Sequence, residues 1–159
     1  MRNLIYILFC GLLFLSSCSN KNENIQPFNE KAKLPAGFKF DTLGLKVMSS
    51  YVNNKSGTMS TLYANRFALS NALKGDKSHR AAEVFALVTW KQQADGYWFG
   101  ADIPGDLQSV ELIKTATNSN NTLITYKKYN GGNLELDPDT AYPGERIHYI
   151  LDQQPSIMP

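Results

Sequence analysis

The chain has 159 residues, with 16 basic and 14 acidic side chains and a formal net charge of +2. That length suits one domain with a sizeable core, and so even a charge balance excludes the basic footprint that nucleic-acid binding requires. The two cysteines are Cys10 and Cys18, so beyond position 18 the chain has no thiolate metal ligand, no cysteine nucleophile and no disulfide.

Met1, Arg2 and Asn3 form a short n-region with one positive charge. Residues 4–15 follow as an almost wholly apolar run of about twelve residues, roughly 18 Å as a helix. A bilayer core needs about 20 apolar residues, so the run is too short to span and reads as a signal-peptide h-region. It closes with Leu15-Ser16-Ser17-Cys18, which resembles the lipobox of bacterial lipoproteins. The resemblance implies cleavage before Cys18 and acylation of its thiol (a palmitate-type modification), with residues 1–17 removed as the signal. It places the chain on the periplasm-facing cell envelope. Ser19, where many inner-membrane lipoproteins carry Asp, favours the outer membrane. Residues 18–36 are polar and read as a flexible tether between lipid and domain.

The globular part is expected over residues 37–159. Residues 43–52 put Leu45, Val47, Ser49 and Tyr51 on one face of a strand. Residues 53–57 are turn-forming, and residues 58–64 form a second strand. Asn65 is a helix N-cap for a short helix over residues 66–74, which Gly75 stops. Residues 84–90 are continuously apolar, as in a central strand buried on both faces. Asp95-Gly96 predicts a tight hairpin with Tyr97, Trp98 and Phe99 on the returning strand, and Ile103-Pro104-Gly105 predicts a break. Residues 109–114 and 122–129 are further strands, separated from the C-terminus by the Asn130–Asn133 turn. Residues 145–152 fit either a short helix through Ile147, Ile150 and Leu151 or a strand through Ile147, Tyr149 and Leu151. The sum is an α+β domain built on an antiparallel sheet with one or two short helices.

Chemistry-bearing residues are sparse. His79 lies in a charged stretch and reads as a solvated loop residue. His148 lies among apolar residues and reads as partly buried. Two isolated histidines without metal-binding spacing make no zinc site. There is no GxSxG elbow and no glycine-rich phosphate loop. Asp102 and Glu111 form a possible carboxylate pair, and Arg66, beside Tyr63 and Asn65, a possible anion contact. The aromatic residues Trp90, Tyr97 and Trp98 offer more: across a hairpin closed at Asp95-Gly96, the two tryptophans can build one wall of an apolar pocket, with His148 as a further lining candidate.

Four stretches carry a family resemblance: Thr61-Leu62-Tyr63-Ala64-Asn65-Arg66-Phe67-Ala68, Val88-Thr89-Trp90-Lys91-Gln92-Gln93, Tyr97-Trp98-Phe99-Gly100-Ala101-Asp102-Ile103-Pro104-Gly105 and Ser109-Val110-Glu111. In order and spacing they are similar to the cytochrome P-460 family over about residues 43–159. The resemblance implies a curved antiparallel sheet with a few helices, a homodimer, and in haem-bearing members a c-type haem used on hydroxylamine or nitric oxide. Here residues 139–145 contain neither cysteine nor histidine where the haem-attachment motif would fall, and Lys91 lies four residues from the family's crosslinking position near Leu87. The resemblance therefore implies a haem-free, non-catalytic module that binds a small apolar ligand or a partner. The alternative is a redox or nitric oxide/hydroxylamine-handling protein with noncovalent haem on His148. The protein expressed with a haem-maturation system is expected to show no Soret band; a stoichiometric band would overturn the haem-free reading.

Overall fold

The computed structural model describes residues 29–36, 38, 40–118, 121–138 and 143–156. The expected signal peptide, Cys18 and most of the tether lie outside the described residues. Six strands form one antiparallel sheet in simple chain order: β1 (Lys46–Asn53), β2 (Thr58–Ala64), β3 (Val84–Ala94), β4 (Asp102–Asn118), β5 (Asn121–Asn130) and β6 (Glu135–Leu136). A 3-10 turn (Glu30–Ala32) and the short helix α1 (Phe40–Leu43) precede the sheet; α2 (Arg66–Leu73) joins β2 to β3, and α3 (Gly144–Leu151) follows β6. The architecture is an open sheet with short helices, an α+β arrangement.

Strand pairing assigns side chains to two faces, because successive residues of a strand point to opposite sides. Leu62 lies opposite Leu87, which lies opposite Glu111; one step along, Tyr63 is opposite Ala86 and Ala86 opposite Leu112. On the first face Leu62, Ala64, Phe85, Leu87 and Ile113 pack with Ala68 of α2 and with Ile150 and Leu151 of α3. On the second face Val88, Trp90, Leu107 and Val110 pack with Ala32, Leu34, Phe38, Phe40, Tyr63 and Leu134. β3 is thus covered on both sides, as its unbroken apolar run predicts.

Local chemistry places the helices. Asn65 caps α2: its Oδ1 accepts from Ala68 N at 3.0 Å, while its Nδ2 donates to Ala82 O at 2.7 Å, tying the cap to the approach to β3. Gly75 follows the helix at φ +69°, a left-handed conformation that favours glycine. Residues 145–152, ambiguous in sequence, are helical, because Ile147, Ile150 and Leu151 at helical spacing reach the first-face core.

Three expectations need correction. Asp95-Gly96 does not close a two-residue turn. Asp95 N bonds to Ala101 O at 2.8 Å, Asp95 Oδ1 accepts from Tyr97 N at 2.8 Å, and the left-handed residue is Gly100 at φ +80°. The side-chain capture of Tyr97 N opens a longer loop, so Tyr97, Trp98 and Phe99 sit in that loop and not on the returning strand. Ile103-Pro104-Gly105 does not break β4. Pro104 lies opposite Gln92 next to a register shift, before the pairing with β5 begins at Ser109, so its missing N–H deprives β5 of nothing. Gly105 fits there because a Cβ would come 3.0 Å from Lys91 O. Finally, packing begins before residue 37, since Ala32 and Leu34 already lie against the second-face core.

Phe85 is 2% exposed. Phe85→Ala is expected to cost about 3–5 kcal/mol in denaturant unfolding, whereas the exposed Leu73→Ala should stay within about 0.5 kcal/mol.

Candidate functional site

The sheet's two faces offer different chemistry. The first face carries two buried carboxylates. Glu111 of β4, 3% exposed, accepts from Arg146 Nε at 2.7 Å and Arg146 Nη2 at 2.6 Å, and from the Tyr126 hydroxyl at 2.7 Å. This two-pronged guanidinium–carboxylate contact is the geometry in which charge assistance is strongest. Arg146 also lies over the Tyr149 ring at 4.8 Å. Burial, then the hydrogen bond to Glu111 and its negative charge, push the Tyr126 phenol well above its ordinary value. The bond to Glu111 likewise raises Arg146, against the opposing effect of burial. Asp102 is exposed at the start of β4, roughly 30 Å along the strand from Glu111, so the two carboxylates do not form a pair. The partner of Glu111 is a cation on the C-terminal helix.

The second buried carboxylate is Glu83, 1% exposed. It accepts from Asn71 Nδ2 at 2.5 Å and faces His79 Nδ1 at 3.0 Å, while its backbone N donates to Thr115 Oγ1 at 3.0 Å. His79 is therefore not a solvated loop residue. Its ring stands edge-on to Phe85 at 6.1 Å and it partners a buried acid. The crevice beside this group, lined by Asn71, His79 and Glu83 among others, holds only about 10 Å³, the room of about one water. It has no space for an organic substrate. Among the described residues no three acidic, histidine or cysteine side chains cluster as metal ligands, and no buried side-chain nitrogen or oxygen lacks a hydrogen-bond partner.

The second face has room. A concavity of about 540 Å³ is lined by Pro35, Phe38, Tyr129, Gly132, Asn133 and Leu134, a volume in the range of small-molecule sites. Tyr129 also borders a smaller hollow of about 190 Å³ with Leu112 and the polar side chains Lys114, Thr125 and Lys127. Burial pushes the phenol of Tyr63, beside this face's core, above its ordinary value. Leu134 takes φ +54°, uncommon for a residue with a side chain and costing on the order of 1–2 kcal/mol. Its packing against the Trp90 cluster holds it there, which fixes one wall of the concavity.

The four residues expected to share a pocket do not meet. Trp90 is 6% exposed and its Nε1 donates to Ala32 O at 3.1 Å, behind Phe38 and Leu134 and not opposite Trp98. Tyr97 and Trp98 are exposed in the β3–β4 loop. His148 is exposed on α3, a helix whose apolar side packs on the first face, across the sheet from the concavity. Arg66 is exposed and lies over Phe67 at 5.7 Å. The lining residues Pro35, Phe38, Tyr129 and Leu134 escaped the sequence reading. Their one local signal was an apolar residue, Leu134, directly after the Gly131-Gly132-Asn133 turn.

No known family model and no curated protein matches the chain. No helix among the described residues is long and apolar enough to cross a membrane.

Two outcomes follow from the Glu111 cluster. Arg146→Ala leaves a buried carboxylate with only the Tyr126 hydroxyl. Because Arg146 is 42% exposed, solvent recovers part of the loss, and the expected cost is about 1–3 kcal/mol in denaturant unfolding. The Tyr126 phenol is raised in the fold above its ordinary value of 10.0, so at alkaline pH the folded state keeps a proton that the unfolded chain releases. Its contribution is complete below pH about 10 and is lost as pH rises beyond it. Tyr126→Phe should make the alkaline fall in melting temperature shallower and leave its slope near neutrality unchanged.

Proposed function

We propose that the protein is a lipid-anchored envelope lipoprotein whose cytochrome P-460-like sheet acts as a haem-free module for a small apolar ligand. The observation that carries the ligand reading is the 540 Å³ concavity on the second face, walled by Phe38, Tyr129 and the strained Leu134. Its side chains are mostly apolar, and every buried polar side-chain atom described is already paired. The site therefore rewards burial of apolar surface, at about 25 cal/mol per Å², more than it rewards charge. Asn133 supplies the polar side chain that can orient a ligand.

The anchor rests on the Leu15-Ser16-Ser17-Cys18 pattern after a short apolar run. Each buried methylene of an acyl chain adds about 0.8 kcal/mol, and two or three chains hold a protein stably on a membrane. The P-460-like assignment is supported by the open antiparallel sheet, the short capped helix after β2 and the doubly covered β3. The haem-free reading is supported by the lack of any cysteine past Cys18, since a thioether-linked haem needs thiols. The remoteness of His148 from the concavity supports it further.

The ligand reading is tested by titrating the purified full chain with the fluorescent probe 1-anilinonaphthalene-8-sulfonate. Binding is expected to weaken at least about fivefold in Tyr129→Ala and in Leu134→Ala, a loss near 1 kcal/mol, and to be unchanged in His148→Ala. Equal affinity in all three would remove the concavity as the site. For the anchor, cells grown with labelled palmitate are expected to label the wild-type chain and not Cys18→Ser.

A further inference from the structure

The β3–β4 hairpin projects past its neighbours. β2 pairs with β3 only as far as Lys91, and β5 pairs with β4 only from Ser109; Gln92 N still donates to Gly57 O and Gly131 N to Gln108 O, and Leu107 still packs in the second-face core, so the hairpin beyond them, residues 93–106, forms a two-stranded ribbon at the end of the sheet. Its tip is Gly96-Tyr97-Trp98-Phe99-Gly100-Ala101, a stretch without a charged side chain. Tyr97 is 60% exposed, Trp98 72% and Phe99 108%. The nearest acid on the β3 side, Asp95, is turned back to accept from Tyr97 N. Three adjacent aromatic side chains held out on a ribbon cost solvation unless something covers them, and tryptophan and tyrosine are the side chains that best fit the membrane–water interface.

The position of Asn29 bears on what that cover is. Asn29, the first described residue, donates from Nδ2 to Pro104 O at 2.5 Å, on the same ribbon. From Pro104 to Phe99 is at most roughly 18 Å of chain, and from Cys18 to Asn29 at most roughly 40 Å. The described chain therefore begins, eleven residues after Cys18, beside the aromatic ribbon. We infer that the Tyr97-Trp98-Phe99 tip is a second membrane contact, inserted into the interfacial layer of the bilayer that holds the lipid on Cys18. This rests on the lipoprotein reading proposed above. The tip then sets the orientation of the domain, adding a second point of attachment to the one at Cys18.

The test uses the full chain matured in a lipoprotein-processing bacterium, with the mass at Cys18 measured and the protein placed in phosphatidylethanolamine/phosphatidylglycerol vesicles. The chain has two tryptophans, so in Trp90→Phe the emission comes from Trp98 alone; should that variant fold poorly, the difference between wild type and Trp98→Ser isolates the same signal. The expected result is a blue-shifted Trp98 emission, quenched at least about twofold when the acyl chains carry bromine. Acylated, vesicle-bound protein with unquenched Trp98 would overturn the second contact and leave the anchor standing. A chain without acyl mass on Cys18 would overturn the anchor and this inference with it. A dimer that forms without vesicles and is lost in Trp98→Ser would show that a second copy covers the tip, again overturning it.

Discussion

The constraint on which the structure depends is the burial of β3 on both faces. Phe85 and Leu87 on one side, and Ala86, Val88 and Trp90 on the other, are withdrawn from water. A six-stranded sheet in simple chain order supplies only neighbours within its own layer, so each face needs a cover from elsewhere in the chain. α2 and α3 cover the first face. Ala32, Leu34, Phe38 and Phe40, from the chain before β1, cover part of the second.

These two covers differ in kind, and the difference decides where chemistry can happen. Helices present a compact apolar stripe, and the first face under them closes tightly enough to bury two carboxylates. Each is retained because it is paired: Glu111 by Arg146 and Tyr126, Glu83 by Asn71 and His79. Unpaired, either acid would be costly to bury. An irregular segment covers less evenly. Its Ala32, Leu34, Phe38 and Phe40 pack against the Trp90 cluster, and the described residues leave the concavity beside Tyr129 and Leu134. The first face is thus structural and electrostatic, the second concave and apolar.

The projecting ribbon gives the molecule a direction. The register irregularities around Trp90 and Gln92 fall where the hairpin leaves the sheet, and bulges at such places bend strands and re-aim what they carry. Pro104 and Gly105, which look like breakers in isolation, are accommodated at that departure. The aromatic tip and Asn29, the first described residue, share this end of the molecule, while the concavity on the second face lies toward β5 and β6.

Much of this was legible in the sequence because it depends on near neighbours. The Asn65 cap, the Gly75 stop, the apolar run of β3 and the strands β4 and β5 all express local periodicity or local hydrogen bonding. What needed the tertiary structure were relations between residues far apart in the chain. Whether residues 145–152 coil or extend depends on the core that Ile150 meets. Whether His79 is solvated depends on a glutamate it partners only once β3 is in place. Whether Trp90 faces Trp98 depends on where the hairpin turns, and the Asp95 side chain moved that turn. The concavity lined by Phe38, Tyr129 and Leu134 is written in no single stretch, because a cavity is a property of packing between segments, and sequence patterns report only which residues seek burial, not what they are buried against.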